Sequence, residues 1–200
     1  SISRLRLVRH TPPGMPDSER RILSEFIFDT RKGERIMINI ALDGPAGSGK
    51  STVAKKIANE LNILYLDTGA MYRACALKCL LSGVNVKDEK AVGNLMKNID
   101  VRVEYKDGSQ ITLLDGKDVS KDIRLPEVSM LASDVSAHKV VREKMVELQR
   151  RVAKSMDCVL DGRDIGSYVL PDAKFKYFIT ADSKVRAERR YKELIERGTP

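Results

Sequence analysis

Gly44, Gly49, Lys50 and Ser51 are spaced as G-x-x-x-x-G-K-[ST] and stand between two segments of different period. Ahead of them, Ile38 to Leu42 is a short apolar run of strand type. Behind them, Val53, Ile57, Ala58 and Leu61 recur at helical spacing. A buried strand, a glycine turn and an amphipathic helix in that order restrict the chain to a narrow set of α/β folds. The glycines let the backbone curl so that successive N–H groups converge, and the helix N-terminus adds the positive end of its dipole. Gly44, Pro45, Ala46, Gly47, Ser48, Gly49, Lys50, Ser51 and Thr52 therefore read as a cradle for a nucleoside triphosphate. In it Lys50 reaches the β- and γ-phosphates and the Ser51 hydroxyl serves Mg²⁺.

The segments that follow repeat the alternation of strand and helix. Ile63 to Leu66 reads as a second strand and Ala70 to Leu81 as a second helix, while Asp157 to Leu160 and Phe175 to Ile179 read as two further buried strands. Such alternation predicts a parallel sheet with helices on both faces and ligands at the carboxyl ends of the strands. Residues of about 95–125 break the pattern. Val101 to Tyr105 and Gln110 to Leu114 alternate around Asp107-Gly108, and Asp115-Gly116 makes a second turn before Val119, which predicts a small antiparallel insert.

Residues 1–36 read as an N-terminal extension outside the fold. They contain Thr11-Pro12-Pro13-Gly14-Met15-Pro16, which opposes regular structure, and one short apolar face of Ile22, Leu23, Phe26 and Ile27. Met37, directly before the first strand, is a natural start, so the extension is expected to be translated leader and the domain to span 37–200.

Composition narrows the partners. The net charge of +8 suits either nucleic acid or a small polyanion, but aromatic residues are 5% and tryptophan is absent, so platforms for stacking bases are scarce. No nucleic-acid partner is expected. Cys75, Cys79 and Cys158 lack metal-ligand spacing and read as reduced core thiols of a cytoplasmic protein. No apolar run approaches the ~18 residues of a membrane span, and no membrane partner is expected. The spacings D-x-x-G and N-K-x-D of a regulatory GTPase do not occur. A binding-only fragment is the alternative to an enzyme.

Three clusters carry chemistry beside the loop. Asp67-Thr68-Gly69-Ala70-Met71-Tyr72-Arg73 follows the second strand and puts Arg73 in the first turn of a helix. Asp161-Gly162-Arg163-Asp164 follows the third core strand, where Asp161 suits an acid that orients Mg²⁺ and its water. Arg186, Arg189 and Arg190 lie on one helix, with Arg186 and Arg190 on a common face, fit to neutralise a transferring phosphoryl group.

In this order and spacing, Asp43 to Thr52, Asp67 to Arg73 and Asp161-Gly162-Arg163-Asp164-Ile165-Gly166 resemble bacterial cytidylate kinases, over essentially all of 37–200. The resemblance implies a nucleoside monophosphate kinase fold whose insert binds the acceptor nucleotide. It implies transfer of the γ-phosphoryl group of ATP to CMP or dCMP, with Mg²⁺ as cofactor, in cytoplasmic pyrimidine metabolism and by a monomer. Residue by residue, it implies that Gly44 to Thr52 hold ATP and that Thr68, Arg73, Ser133, Arg142, Asp161, Arg163 and Asp164 hold CMP. Arg73 and Arg163 would grip its phosphate, while Ser133, Arg142 and Asp164 would read the base. Lys50, Arg163, Arg186 and Arg190 would serve catalysis, and Ser51 and Asp161 would serve the metal, Asp161 through water. Without the resemblance, Ser133 and Arg142 read as ordinary helix-surface residues. The family continues past the equivalent of Pro200 with a lid, a strand and a helix. The 200-residue chain is therefore expected to expose apolar surface at its sheet, to bind nucleotide weakly and to turn over poorly.

Overall fold

The computed structural model describes residues 37–106 and 109–196, without the side chains of Arg190, Glu193, Leu194 and Glu196. The extension 1–36, the Asp107-Gly108 turn and the terminal Arg197-Gly198-Thr199-Pro200 lie outside the described residues. From Asn39 onward the chain forms one unit by its internal contacts.

Its centre is a four-stranded sheet in the order β2-β6-β1-β7, built from β1 (Asn39–Asp43), β2 (Leu64–Asp67), β6 (Cys158–Gly162) and β7 (Phe175–Phe178). All three pairings are parallel, with Ala41 opposite Leu160 on one side and Lys176 on the other, and with Leu66 opposite Leu160. Parallel strands covered on both faces need apolar side chains at successive positions. Ile40-Ala41-Leu42 and Cys158-Val159-Leu160 meet that need and are buried. The register brings Asp43, Asp67, Asp161 and Gly162 to the same carboxyl edge. β7 lies at the margin of the sheet, and its Tyr177 and Phe178 are exposed.

Helix α1 (Lys50–Leu61) follows the glycine turn and ends on Asn62 in the left-handed region, while α2 (Thr68–Leu81) begins directly at the end of β2. α2 is apolar on most of its circumference and runs through the core, burying Met71, Ala74, Cys75, Leu77 and Cys79. The cysteines are thus free core thiols, and burial raises Cys75 to about 12. Such a thiol packs as an apolar group and is unreactive.

The antiparallel insert is present as β3 (Val101–Lys106), β4 (Ser109–Leu114) and β5 (Lys117–Asp118), in that order. Leu114 pairs with Lys117 across Asp115-Gly116, where both turn residues have positive φ, 49° and 81°. A two-residue loop with that geometry matches the twist of its strands. Three helices without an assignment from the sequence complete the fold: α3 (Glu89–Lys97), α4 (Pro126–Ala137) and α5 (Lys139–Ser155). A short 3₁₀ turn, Asp122–Arg124, leads into α4; a π-turn, Ile165–Val169, follows β6; and α6 (Ser183–Glu196) follows β7. Val128, Val135, Val141, Met145 and Val146 carry the stripe by which α4 and α5 join the core. Val101, Leu114 and Val119 of the insert belong to the same core.

Candidate active site

The loop after β1 is shaped by its glycines. Gly44 has φ +153°, and a Cβ there would stand 2.1 Å from the Ile179 carbonyl oxygen; Gly49 caps α1 in the left-handed region at φ +90°. α2 and α3 have side-chain caps, Asp67 accepting from the Ala70 N–H and Asp88 from the Ala91 N–H, whereas α1 has none. The first turn of α1 thus keeps N–H donors without a protein cap at the mouth of the loop, an arrangement suited to anions. The Lys50 ammonium donates to the Pro45 carbonyl at 3.4 Å. Burial pushes Lys50 below the ordinary lysine range, Asp161 acts against that shift, and Arg163 adds to it.

A cleft of about 500 Å³ opens from this loop along the carboxyl edge of the sheet. Lys50, Ser51 and Thr52 line one part of it, Thr68, Arg73, Asp161 and Arg163 another, and Ser133, Arg142 and Asp164 a third. The structure therefore brings together residues from the loop, both acid-and-arginine clusters and two helices. Ser133 sits on α4 and Arg142 on α5, and both line the cleft.

Asp67 organises the middle of the cleft. Besides capping α2, it forms ion pairs with Arg73 at 3.0 Å and with Arg124 at 2.8 Å. Burial opposes its ionisation, but the two guanidiniums and the cap hold its carboxyl below the usual carboxylate range. Its backbone is tied to the insert, since its N–H donates to Gln110 Oε1 at 2.8 Å. Nearby, the Tyr105 hydroxyl donates to the Tyr65 carbonyl at 2.9 Å. The insert is thus fastened to the end of β2.

Asp161 is buried, and burial together with the charge of Asp67 raises its carboxyl, while Ser51, Lys50 and Tyr65 act in the other direction. Tyr65 donates to it at 3.2 Å, and Thr68 donates to its backbone carbonyl at 2.6 Å. The Ser51 hydroxyl beside a buried carboxylate that resists ionisation is a donor set that would fit Mg²⁺, whose charge would relieve the burial. Asp43 clasps the next segment, accepting from the N–H groups of Ile165 at 2.7 Å and Gly166 at 2.8 Å. That clasp fixes where Arg163 and Asp164 leave β6. Arg163 reaches toward the Gly44 carbonyl at 3.4 Å, and Arg142 is ion-paired and hydrogen-bonded to Asp164.

The arginines of α6 divide differently from the sequence expectation. Arg189 reaches the cleft and donates to the Gly47 carbonyl at 3.2 Å. Arg186 instead lays its backbone against Gly47 and turns its guanidinium to the Ala181 carbonyl at 3.2 Å. The side chain of Arg190 lies outside the described residues. Helical spacing grouped Arg186 with Arg190, but the docking of α6 on the glycine loop decides which arginine faces inward. Arg124, Tyr65, Gln110 and Asp43 also escaped the sequence reading. Only Asp43 carried a signal, as the acid ending β1.

The chain matches the family model described as cytidylate kinase over residues 40–200. It belongs to the cytidylate kinase family. The cytidylate kinase of Caldicellulosiruptor saccharolyticus is 52% identical over 161 residues, 80% of this chain and 71% of that protein. Those of Lactobacillus johnsonii and Clostridioides difficile are 49% and 50% identical, over 84% and 80% of this chain and 73% and 72% of theirs. Membership in the cytidylate kinase family makes the chain a kinase of the α/β class with a parallel sheet, as the loop and strand order had suggested. Among the described residues no helix is long and apolar enough to cross a membrane.

Proposed function

We propose that this chain transfers the γ-phosphoryl group of ATP to CMP or dCMP, giving ADP and CDP or dCDP, as a step of cytoplasmic pyrimidine nucleotide metabolism. The observation that carries the reading is the single cleft joining the uncapped N-terminus of α1 to the Arg142–Asp164 pair, with Arg73 and Arg163 along its wall. ATP binds at Gly44 to Thr52, and the acceptor takes its phosphate to Arg73 and Arg163 and its base to Ser133, Arg142 and Asp164.

A phosphomonoester has a second pKa of about 6, so at neutral pH the acceptor oxygen is already an anionic nucleophile and needs no general base. It forms a bond to the γ-phosphorus as the bond to the β,γ-bridging oxygen breaks and the electron pair leaves with ADP. The obstacle is repulsion between two polyanions. Lys50 and the arginines offset it, from positions set before the substrates arrive. Ser51 and Asp161 would hold Mg²⁺, which when bound neutralises charge on the phosphates. An ionised Asp164 accepts the exocyclic N–H of cytosine and repels the corresponding oxygen of uracil.

Steady-state transfer from ATP and Mg²⁺ to CMP, dCMP, UMP and AMP tests the reading, and CMP or dCMP is expected to be preferred. Asp164→Ala is expected to cut the CMP-over-UMP preference by about tenfold or more. An unchanged preference in that variant removes the cytosine assignment.

A further inference from the structure

Tyr168 is a large aromatic residue that neither the core nor the cleft explains. It belongs to the π-turn after β6, is 46% exposed, and is not among the residues that line the cleft. Two cations nevertheless converge on its ring. The guanidinium carbon of Arg142 lies 5.3 Å from the ring centre and that of Arg150 5.8 Å, both within the ~6 Å over which the face of an aromatic ring attracts a cation. The turn that carries the ring is fastened twice. Arg150 donates to the carbonyls of Tyr168 at 2.7 Å and Val169 at 2.8 Å, and the Asp164 carbonyl accepts from the N–H groups of the same two residues at 2.9 and 3.2 Å. The ring thus stands on a fixed backbone that begins at Asp164, whose carboxylate is the partner of Arg142.

We propose that Tyr168 is a positioning residue for the acceptor base: its ring holds the Arg142 guanidinium in the place where it pairs with Asp164 at the cleft. The inference rests on the proposed function and deepens it, because Arg142 and Asp164 are the groups which that reading sets against cytosine. Their ion pair is open to water, with the two side chains 37% and 33% exposed, and an ion pair in such a setting restrains a long side chain weakly. The ring supplies the missing restraint. A guanidinium stacked on an aromatic face keeps its N–H groups free, so the contact takes no donor away from Asp164 or from the nucleotide. Arg150 acts one step further back, since its bonds to the Tyr168 and Val169 carbonyls set where the ring stands. Both arginines belong to α5, so the turn is tied to that helix at Arg150 and steadies it at Arg142.

The test is calorimetric titration with CMP and ATP of wild type, Y168F, Y168L, R142M and the double variant that combines Y168L with R142M. Y168F keeps the ring face and is expected to bind CMP as wild type does. Y168L keeps apolar bulk without a π face. It is expected to weaken CMP about two- to fivefold, the range of one exposed cation–π contact, and to leave ATP unchanged. In the R142M background Y168L is expected to weaken CMP no further, because an effect that passes through Arg142 disappears with it. Wild-type CMP affinity in Y168L, an equal loss in Y168F, or a loss that persists beside R142M overturns the assignment. A Y168L protein that fails to fold, or that loses ATP and CMP together, shows the ring to be structural and overturns it as well. A wild-type chain that binds CMP no better than UMP or AMP removes the proposed function itself, an outcome read before any variant is made; a CMP-selective wild type with an unaffected Y168L removes the role of Tyr168 alone.

Discussion

Lys50 joins motif and surroundings at one atom. Its place in the loop follows from spacing, but its electrostatic state follows from burial and from Asp161, Asp67 and Asp43, which favour its charge against that burial and against Arg163. A cation held among acids beside an open helix N-terminus stabilises charge that grows during transfer more than charge already present in the bound acceptor. Lys50→Ala is therefore expected to lower kcat by about 10²–10³ and to leave CMP affinity near that of wild type, as separate turnover and titration measurements will show. Arg189 makes the complementary point. Its role at the Gly47 carbonyl is invisible in the helical period of α6, which favoured Arg186 and Arg190.

The elements meet the cleft through their ends. Gly44 has a backbone conformation that other residues rarely adopt, and the Ile179 carbonyl occupies the place of its Cβ. Gly44→Ala is expected to displace the loop from β7 and to abolish ATP binding, read by titration, while far-UV circular dichroism still reports a folded protein. At the start of α2, Asp67→Asn keeps the cap but removes the ion pairs to Arg73 and Arg124. A carboxyl held below its unfolded value stabilises the fold above that unfolded value, near 3.8, and the benefit is lost as pH falls through the lower folded value. Asp67→Asn is thus expected to lower Tm by roughly 2–4 °C at pH 7, with the difference shrinking in acid. A difference that stayed constant with pH would show that the ion pairs are not its source.

Across the whole molecule, positive charge gathers where the strands end. Lys50, Arg73, Arg124, Arg142, Arg163 and Arg189 all line one cleft, within a chain of net charge +8. The same cleft holds Asp67, Asp161 and Asp164, so the six cations leave it an excess of positive charge; such a concave surface focuses its field on an anion, and mobile salt screens that field with a Debye length of about 10 Å at 0.1 M and 3 Å at 1 M. CMP affinity is expected to fall steadily as NaCl is raised, and to fall less in Arg163→Gln. An affinity independent of salt would place the arginines out of reach of the phosphate. The insert enters at this scale too, because Gln110 and Tyr105 bind it to the end of β2, so that the cleft wall at Asp67 and the insert form one connected structure.

The sequence by itself determined the loop, the parallel sheet, the antiparallel insert and the acids that end the strands. Each is written in neighbouring residues: glycines where φ is positive, apolar runs where both faces are covered, Asp-Gly where a tight turn is needed. Helices α3, α4 and α5 were given no bounds from the sequence, although Val141, Met145, Val146 and Ala153 of α5 recur at helical spacing. Only their packing against α2 gives such apolar positions a purpose. Tertiary structure alone decided that the Arg189 guanidinium and not that of Arg186 reaches the Gly47 carbonyl, that Arg124 shares Asp67 with Arg73, and that Gln149 is buried at the edge of the cleft. Such facts depend on which side of one element meets another, and residues distant in sequence carry no local mark of the neighbour they will meet.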